Sequence, residues 1–512
     1  MLRRDGIVWR ETLTVAVLVL SAASSLLADE GDGKAADANA TAKIEIGGKA
    51  AVEVVDEDGK PVEGFTLIGM GLRPHQDPST GYPWLTNSHG PHAVAVTNAA
   101  GQAELSWPRW VVRSQQLTTA KLSVIADHPD FCLAVDQDVD VAPDVRTKIT
   151  LKRGGRLRLH AFRPGEKKPL TDFRAQINGH FDSLRAWQNV VGGPAGRVSP
   201  AMEAGPRLIR LIQPEEDGSL LFSDLLRFDS KVGVFEDRLL KLKPPMTVRG
   251  QLSENVPRPV KNGFVVAVVA DQIEKGEYQA ESLEWQTWRL ISEDGTFEFD
   301  KLPPSDKVRL LAFCDGYVSM QPQRGQLPLD LKRYGRSFSG TTLPQSFVLP
   351  GGDDGTPTVR MERAATCRLN VVGVEGRPIE GATAGLFPQV IYSSGPTTVF
   401  GTSKRSEDAM FEPRRTVLDT VREWRVSWPQ KERDVDSSVL QPSFLANTDA
   451  NGVAVIENLP PRSLQRLYAQ HEDYVPAGTK PPYELQQLIS LRPGESSEAT
   501  IRMVPKPPAE AE

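Results

Sequence analysis

The sequence predicts an all-β protein, a tandem array of antiparallel β-sandwich units. Three observations lead there. Glycine (42) and proline (40) are raised together without a collagen period, which favours many turns and short strands over long helices. A glycine turn feeding an alternating strand recurs four times. Ahead of each copy stands a Lys/Arg-Pro-aliphatic motif, with prolines at 61, 169, 259 and 378, spaced by 108, 90 and 119 residues.

In chain order, the first element is a secretory leader. Arg3, Arg4 and Arg10 precede the short apolar run "LTVAVLVLSAASSLLA" (13–28), and cleavage is expected after Ala28. The alternative, a retained anchor, is disfavoured because the strongly apolar part is short for a membrane span. Residues 29–44 read as an acidic, disordered lead-in. No later segment is long and apolar enough to span a membrane, so the expected location is secreted, periplasmic or cell surface. A chain of 512 residues exceeds one core. The four units fall at 45–153, 155–245, 246–363 and 365–505, the last with a long insert at 387–446, and 506–512 form a tail. The insert leaves room for a short helix at 415–424.

The repeat rests on aligned residues. "ISEDGTFEFDKLPP" (291–304) and "NTDANGVAVIENLPP" (447–461) align Gly295 on Gly452, Phe297 on Ala454, Phe299 on Ile456 and Leu-Pro-Pro on Leu-Pro-Pro. "PEEDGSLLFSDLL" aligns on Gly218 with Leu220 and Phe222, and "TNAAGQAELSWP" on Gly101 with Ala103 and Leu105. Apolar residues at two and four after the glycine are one face of a half-buried strand. Ala312 and Ala469 each follow their turn glycine by 17 residues, with an aromatic five later, Tyr317 and Tyr474. Ala126 and Phe131 repeat that pair at a longer gap. The copy around Gly218 lacks it and is degenerate. Upstream, "GKPVEG" (59–64) and "GRPIEG" (376–381) nearly coincide, and "KKPLTD" and "PRPVKN" share their core.

Strand, Asp-Gly-Lys-Pro-Val-x-Gly, strand, then a glycine turn leading to Leu-Pro and on to Ala-x-x-x-Gly-Tyr resembles the carboxypeptidase regulatory-like domain. The likeness is clearest at 45–153 and 365–505, good at 246–363 and weak at 155–245. It implies a transthyretin-like, seven-stranded sandwich, grouped with carbohydrate-binding-like folds. It also implies an accessory module without catalytic residues. The chain has no His-x-x-Glu zinc motif of a peptidase partner.

Several constellations could carry function. Acidic residues beside Gly295 could form a calcium loop, but such a loop needs oxygen ligands at alternate positions and a closing Glu. Gly101 follows an alanine, and every copy runs at once into a strand. A tight turn explains all four, with Gly59, Gly101, Gly218, Gly295, Gly376 and Gly452 as structural turn glycines. His75, Asp77, His89 and His92 share one polar insertion and could hold zinc or copper; a solvated loop is the plainer reading. Trp107 with Trp110, Trp285 with Trp288, and Trp424 with Trp428 could offer flat faces for stacking on sugars. The competing reading is that these rings cover the open ends of small cores, since Trp is usually well buried. Cys132, Cys314 and Cys367 read as small buried apolar residues, with a Cys314–Cys367 bridge left open.

A net charge of −6 gives no electrostatic footprint for nucleic acid. The sequence holds no Gly-x-Ser-x-Gly, phosphate-binding loop or dinucleotide fingerprint. The expectation is therefore an exported, non-catalytic binding or structural array. It needs no cofactor, and its partner is a protein or glycan of unknown identity. A carbohydrate-binding protein using the Trp pairs, and an enzyme with a site built from inserted loops, are the alternatives.

Overall fold

A computed structural model of the chain describes residues 44–74, 82–83, 92–112, 120–128, 130–141, 145–171, 173–178, 196–276, 279–322, 327, 341–349, 356–386, 389–390, 444–461, 464–479 and 487–506. The described residues form strands, turns and bends, with no helix among them. The chain is all-β, a tandem series of β-sandwiches.

In the first sandwich, Ile44–Val55 lies between Gln102–Val112 and Arg146–Thr150. Facing it is a sheet of Tyr82–Pro83, Thr66–Pro74, Ala120–Asp127 and Ala134–Asp140, with Val94–Val96 also on Thr66–Pro74. The strand pattern has a direct packing consequence. Ala50, Val52 and Val54 point inward at every second position and are fully buried, meeting Leu67, Leu105, Leu122 and Val124 from the other strands. Each such Leu or Val contributes about 1.5–3 kcal/mol of burial.

The fourth sandwich repeats this plan. Val453–Leu459, Ala365–Val372, Ser496–Pro505 and Tyr474–Pro476 face Leu445–Asn447, Thr383–Leu386, Leu464–Gln470 and Leu488–Ser490. The third has Thr296–Leu302, Met246–Leu252 and Thr358–Val359 against a sheet led by Gln279–Leu290, Phe264–Gly276 and Lys307–Cys314. Strand pairs are antiparallel except along a recurring seam and in one short ladder, Thr341–Thr342 beside Gln389–Val390. In each sandwich the first strand runs parallel to one at the end of the unit, as with Ala51–Val55 beside Arg146–Thr150; in the third that strand is Thr358–Val359, just before Met361–Arg363.

The second sandwich departs from the plan. Its strands join in one sheet, along Arg174–Ile177, Gly205–Pro214, Leu220–Ser223, Phe235–Lys243, Arg156–Phe162 and Arg197–Val198, with Leu226–Ser230 also on Gly205–Pro214. Elsewhere the strand after the turn glycine pairs with the first strand of its unit. Here Leu220–Ser223 folds back on Gly205–Pro214 instead, setting Phe222 opposite Ile212. The Gly218 turn is thus a true hairpin. The turns at Gly101, Gly295 and Gly452 are corners that carry the chain from one sheet to the facing one.

A long hairpin of the third sandwich completes the second. Phe264–Gly276 pairs with Gln279–Leu290 over its whole length but with Lys307–Cys314 only along 264–268. Val269 and Trp285, beyond that point, are fully buried in one cluster with Ile212, Leu220 and Phe222 of the second sandwich. Ile209 and Leu211, on the opposite face of the same strand, pack into the second sandwich's own core.

Candidate functional site

The six turn glycines share one geometry. Each has positive φ, from +69° at Gly101 to +87° at Gly295. In each, the glycine N–H donates to the carbonyl three residues back, as Gly101 to Asn98 (2.8 Å) and Gly452 to Asp449 (2.8 Å). The residue three back in turn donates to the carbonyl just after the glycine, as Asn98 to Gln102 (3.0 Å). This is a three-residue loop closed by a left-handed residue. Its acidic side chains are already engaged. Asp449 Oδ1 accepts the N–H groups of Asn451 and Val453, both at 2.9 Å. Asp56 Oδ1 does the same for Asp58 and Lys60, and Asp294 Oδ1 accepts from the N–H and hydroxyl of Thr296. Backbone donors hold the Asp56, Asp294 and Asp449 carboxyls below the usual carboxylate range, and the Ser219 hydroxyl and N–H do so for Asp217. No group of three or more His, Cys, Asp or Glu that could hold a metal occurs among the described residues.

Of the candidate metal ligands, His75, Asp77 and His89 lie outside the described residues. His92 is buried, and its Nδ1 donates to the Gly69 carbonyl at 2.7 Å, tying the insertion back onto its sheet. The tryptophans divide. Trp107 sits in the first core and Trp285 in the shared core, where Phe222 meets it edge-on at 5.0 Å. Neither presents a ring face to solvent, which removes both as sugar platforms; apolar burial claimed them. Trp288 is half-buried against Phe264, Val266 and Phe313. The Trp110 side chain, and Trp424 and Trp428 entirely, lie outside the described residues. All three cysteines are free and buried, so the Cys314–Cys367 bridge is not formed. Burial pushes the Cys314 and Cys367 thiols up to about 11, and Asp315 adds to the rise at Cys314. Protonated thiols at neutral pH are poor nucleophiles.

The most developed chemistry lies between the second and third sandwiches. Arg210 is almost wholly buried, and its Nη2 pairs with Asp271 Oδ2 on the long hairpin at 2.7 Å. Burial pulls the guanidinium down to about 10, while Asp271 opposes the shift and keeps it charged at neutral pH. Around the pair, Arg227 Nη1 donates to the Gln272 carbonyl at 3.1 Å and Gln176 Nε2 to that of Glu284 at 3.5 Å. The arrangement fixes one sandwich on the next with directional bonds inside an apolar contact.

The other junctions are lighter. Arg156 of the second sandwich meets Asp130 of the first, next to Arg153 at the first sandwich's end, which pairs with Asp56 (2.9 Å) and Asp58 (3.0 Å) of its own unit. Between the third and fourth, Gly316 N–H donates to Asn458 Oδ1 at 2.7 Å, and Thr341–Thr342 pairs with Gln389–Val390.

Sequence reasoning missed Arg210 and Asp271. An arginine inside the apolar run "PRLIRLI" was the available signal, but its partner lies 61 residues away on another sandwich. It also missed Thr97 and Thr448. Their buried hydroxyls accept from Phe65 and Ala382 N–H and donate to the Val62 and Ile379 carbonyls, latching each corner turn. Both stand four residues before the turn glycine in the aligned copies, so the signal lay in the sequence.

No protein family matches the chain, and no curated protein matches it in sequence. Solved structures that match include the TIE protein of Bacillus anthracis, at 12% identity and a TM-score of 0.16, covering 90% of this chain and 74% of that one. A streptococcal ancillary pilin matches at 13% identity and 0.20, covering 62% and 99%. The major pilin subunit of Bacillus cereus matches at 10% and 0.14, covering 90% and 100%. At these scores the likeness assigns no function.

Proposed function

We propose that the chain is an exported, non-catalytic scaffold of carboxypeptidase regulatory-like sandwiches that holds its loops at fixed spacing for binding or assembly outside the cytoplasm. One observation carries this reading. The second and third sandwiches share a core, with Ile212, Leu220 and Phe222 packed among Val269 and Trp285 and the Arg210–Asp271 pair beside them. Independent beads on a string have no use for a shared core, whereas a spacer does. The repeated parallel pairing of the first strand, the Lys/Arg-Pro-aliphatic motif and the glycine corners of three of the four sandwiches support the module type. The carbohydrate reading loses Trp107 and Trp285 to burial, and no other observation favours it.

Spin labels at Lys168→Cys and Glu254→Cys, both exposed, test the spacing by pulsed dipolar spectroscopy. A single narrow distance distribution is expected, and a broad one sinks the scaffold reading. Turnover of peptides or glycans by the same purified chain would overturn its non-catalytic part.

A further inference from the structure

In each sandwich a strand near the end of the unit lies parallel to the first, and wherever its other side is unpaired it offers backbone groups to another chain unless something blunts it. Three of the four are blunted. Arg146–Thr150 turns Arg146, Lys148 and Thr150 to solvent. Thr358–Val359 is only two residues long. Ser496–Pro505 is covered at one end by Tyr474–Pro476, and over the rest its exposed positions are Ser496, Glu498, Thr500 and Arg502.

The second sandwich has no such protection. Phe235–Lys243 pairs on one side with Arg156–Phe162. On the other side, among the described residues, only Leu242 and Lys243 are paired, with Ser223 and Phe222. Its solvent face carries Phe235, 45% exposed, and Leu239, 70% exposed, alternating with Asp237 and Lys241.

Backbone direction makes this edge usable. Arg156 N–H donates to the Val234 carbonyl, and successive residues of a strand turn their backbone groups to opposite edges. Val234, Glu236, Arg238 and Leu240 therefore face Arg156–Phe162, and Asp237, Leu239 and Lys241 turn theirs to the open edge. These three are self-complementary. With the strand laid antiparallel on a copy of itself and Leu239 opposite Leu239, Asp237 stands opposite Lys241, twice by symmetry. All three positions then fall on the hydrogen-bonded type of pair. The Asp237 carboxylate is 57% exposed and 3.6 Å from Arg158 and from His160, leaving it room for another cation.

We propose that two copies of this chain dimerise through the open edge of the second sandwich, with the Asp237–Lys241 segments paired antiparallel about Leu239. The contact is isologous and closes on itself, so it yields a dimer and not a fibre.

Sedimentation equilibrium of the exported chain over a wide dilution series tests this. A monomer–dimer equilibrium is expected. Asp237→Lys or Lys241→Asp alone places like charges opposite each other and should raise the dimer dissociation constant roughly tenfold or more. The double variant D237K/K241D restores the opposite-charge pairs and should recover dimerisation, while Leu239→Lys should abolish it. These positions are exposed, and unchanged circular dichroism and melting would show that the variants fold. A chain that stays monomeric, a dimer indifferent to the single reversals, or a charge swap that fails to rescue each overturns the proposal.

Discussion

The first and second sandwiches carry the same glycine turn and use it to opposite ends. At Gly101 the turn is a corner between sheets, and the glycine carbonyl accepts the Val54 N–H at 2.7 Å. At Gly218 the same backbone pattern closes a hairpin within one sheet, with no neighbour within 4 Å of where a Cβ would lie. Behind the first turn stands a self-contained core. Behind the second, one sheet face feeds its own core and the other feeds the third sandwich. Local sequence encodes the turn; the partner strand decides what the turn builds.

The strongest way to break this comparison is to empty the shared core. Trp285→Ala and Trp107→Ala each remove a buried indole and should each cost about 3–5 kcal/mol. Their reach should differ. By residue-resolved hydrogen exchange, Trp107→Ala is expected to lower protection in the first sandwich alone. Trp285→Ala should lower it in the second and third together, because Phe222 and Ile212 lose the ring they pack on. Loss of protection confined to the third would show that the second stands by itself.

A smaller effect separates the two turns. Alanine at Gly218 meets open space and suffers only from its left-handed φ of +78°, about 1–2 kcal/mol. At Gly101 a Cβ would also run into the Val54 carbonyl oxygen and lie 3.2 Å from Pro61, and backbone cannot move aside as a side chain does. Gly101→Ala should therefore cost clearly more than Gly218→Ala in denaturant midpoints, and Gly452→Ala should follow Gly101→Ala because it would meet the Val371 carbonyl. Equal costs would mean that the corner relaxes freely.

Much of the fold was legible because it depends on neighbours in sequence. Period-two stretches such as Ala50–Val54 gave the strands, and the glycine just ahead of each alternating run gave the turns. What was not legible depends on residues far apart. Nothing near Trp285 says that Phe222 will lie against it, so one motif, a pair of Trp three positions apart, read equally well as a sugar platform and as a core. Arg210 stands out only as a charge in an apolar run and Asp271 not at all, and the pair acquires meaning only across the junction. The unprotected edge at Phe235–Lys243 was likewise hidden, because its alternation reads like any half-buried strand until the pairing partner is known.

The smallest effect compares the first and fourth sandwiches, which share a corner turn but cap it differently. Asn98 caps the first turn and has no proton to gain; Asp449 caps the fourth, its carboxylate accepting two N–H groups. Those donors favour the ionised form, so the folded Asp449 pKa lies below the usual value. The sign follows from linkage: the stabilisation is full above the unfolded-state pKa and is lost as pH falls through the lower folded value. Carboxyl-resolved NMR should show Asp449 titrating at lower pH than an ordinary aspartate. Asp449→Asn should flatten the acid-side loss of stability in the fourth sandwich while leaving the turn intact, as Asn98 does in the first. An Asp449 that titrates at the ordinary value would show that its two hydrogen bonds do not persist in solution.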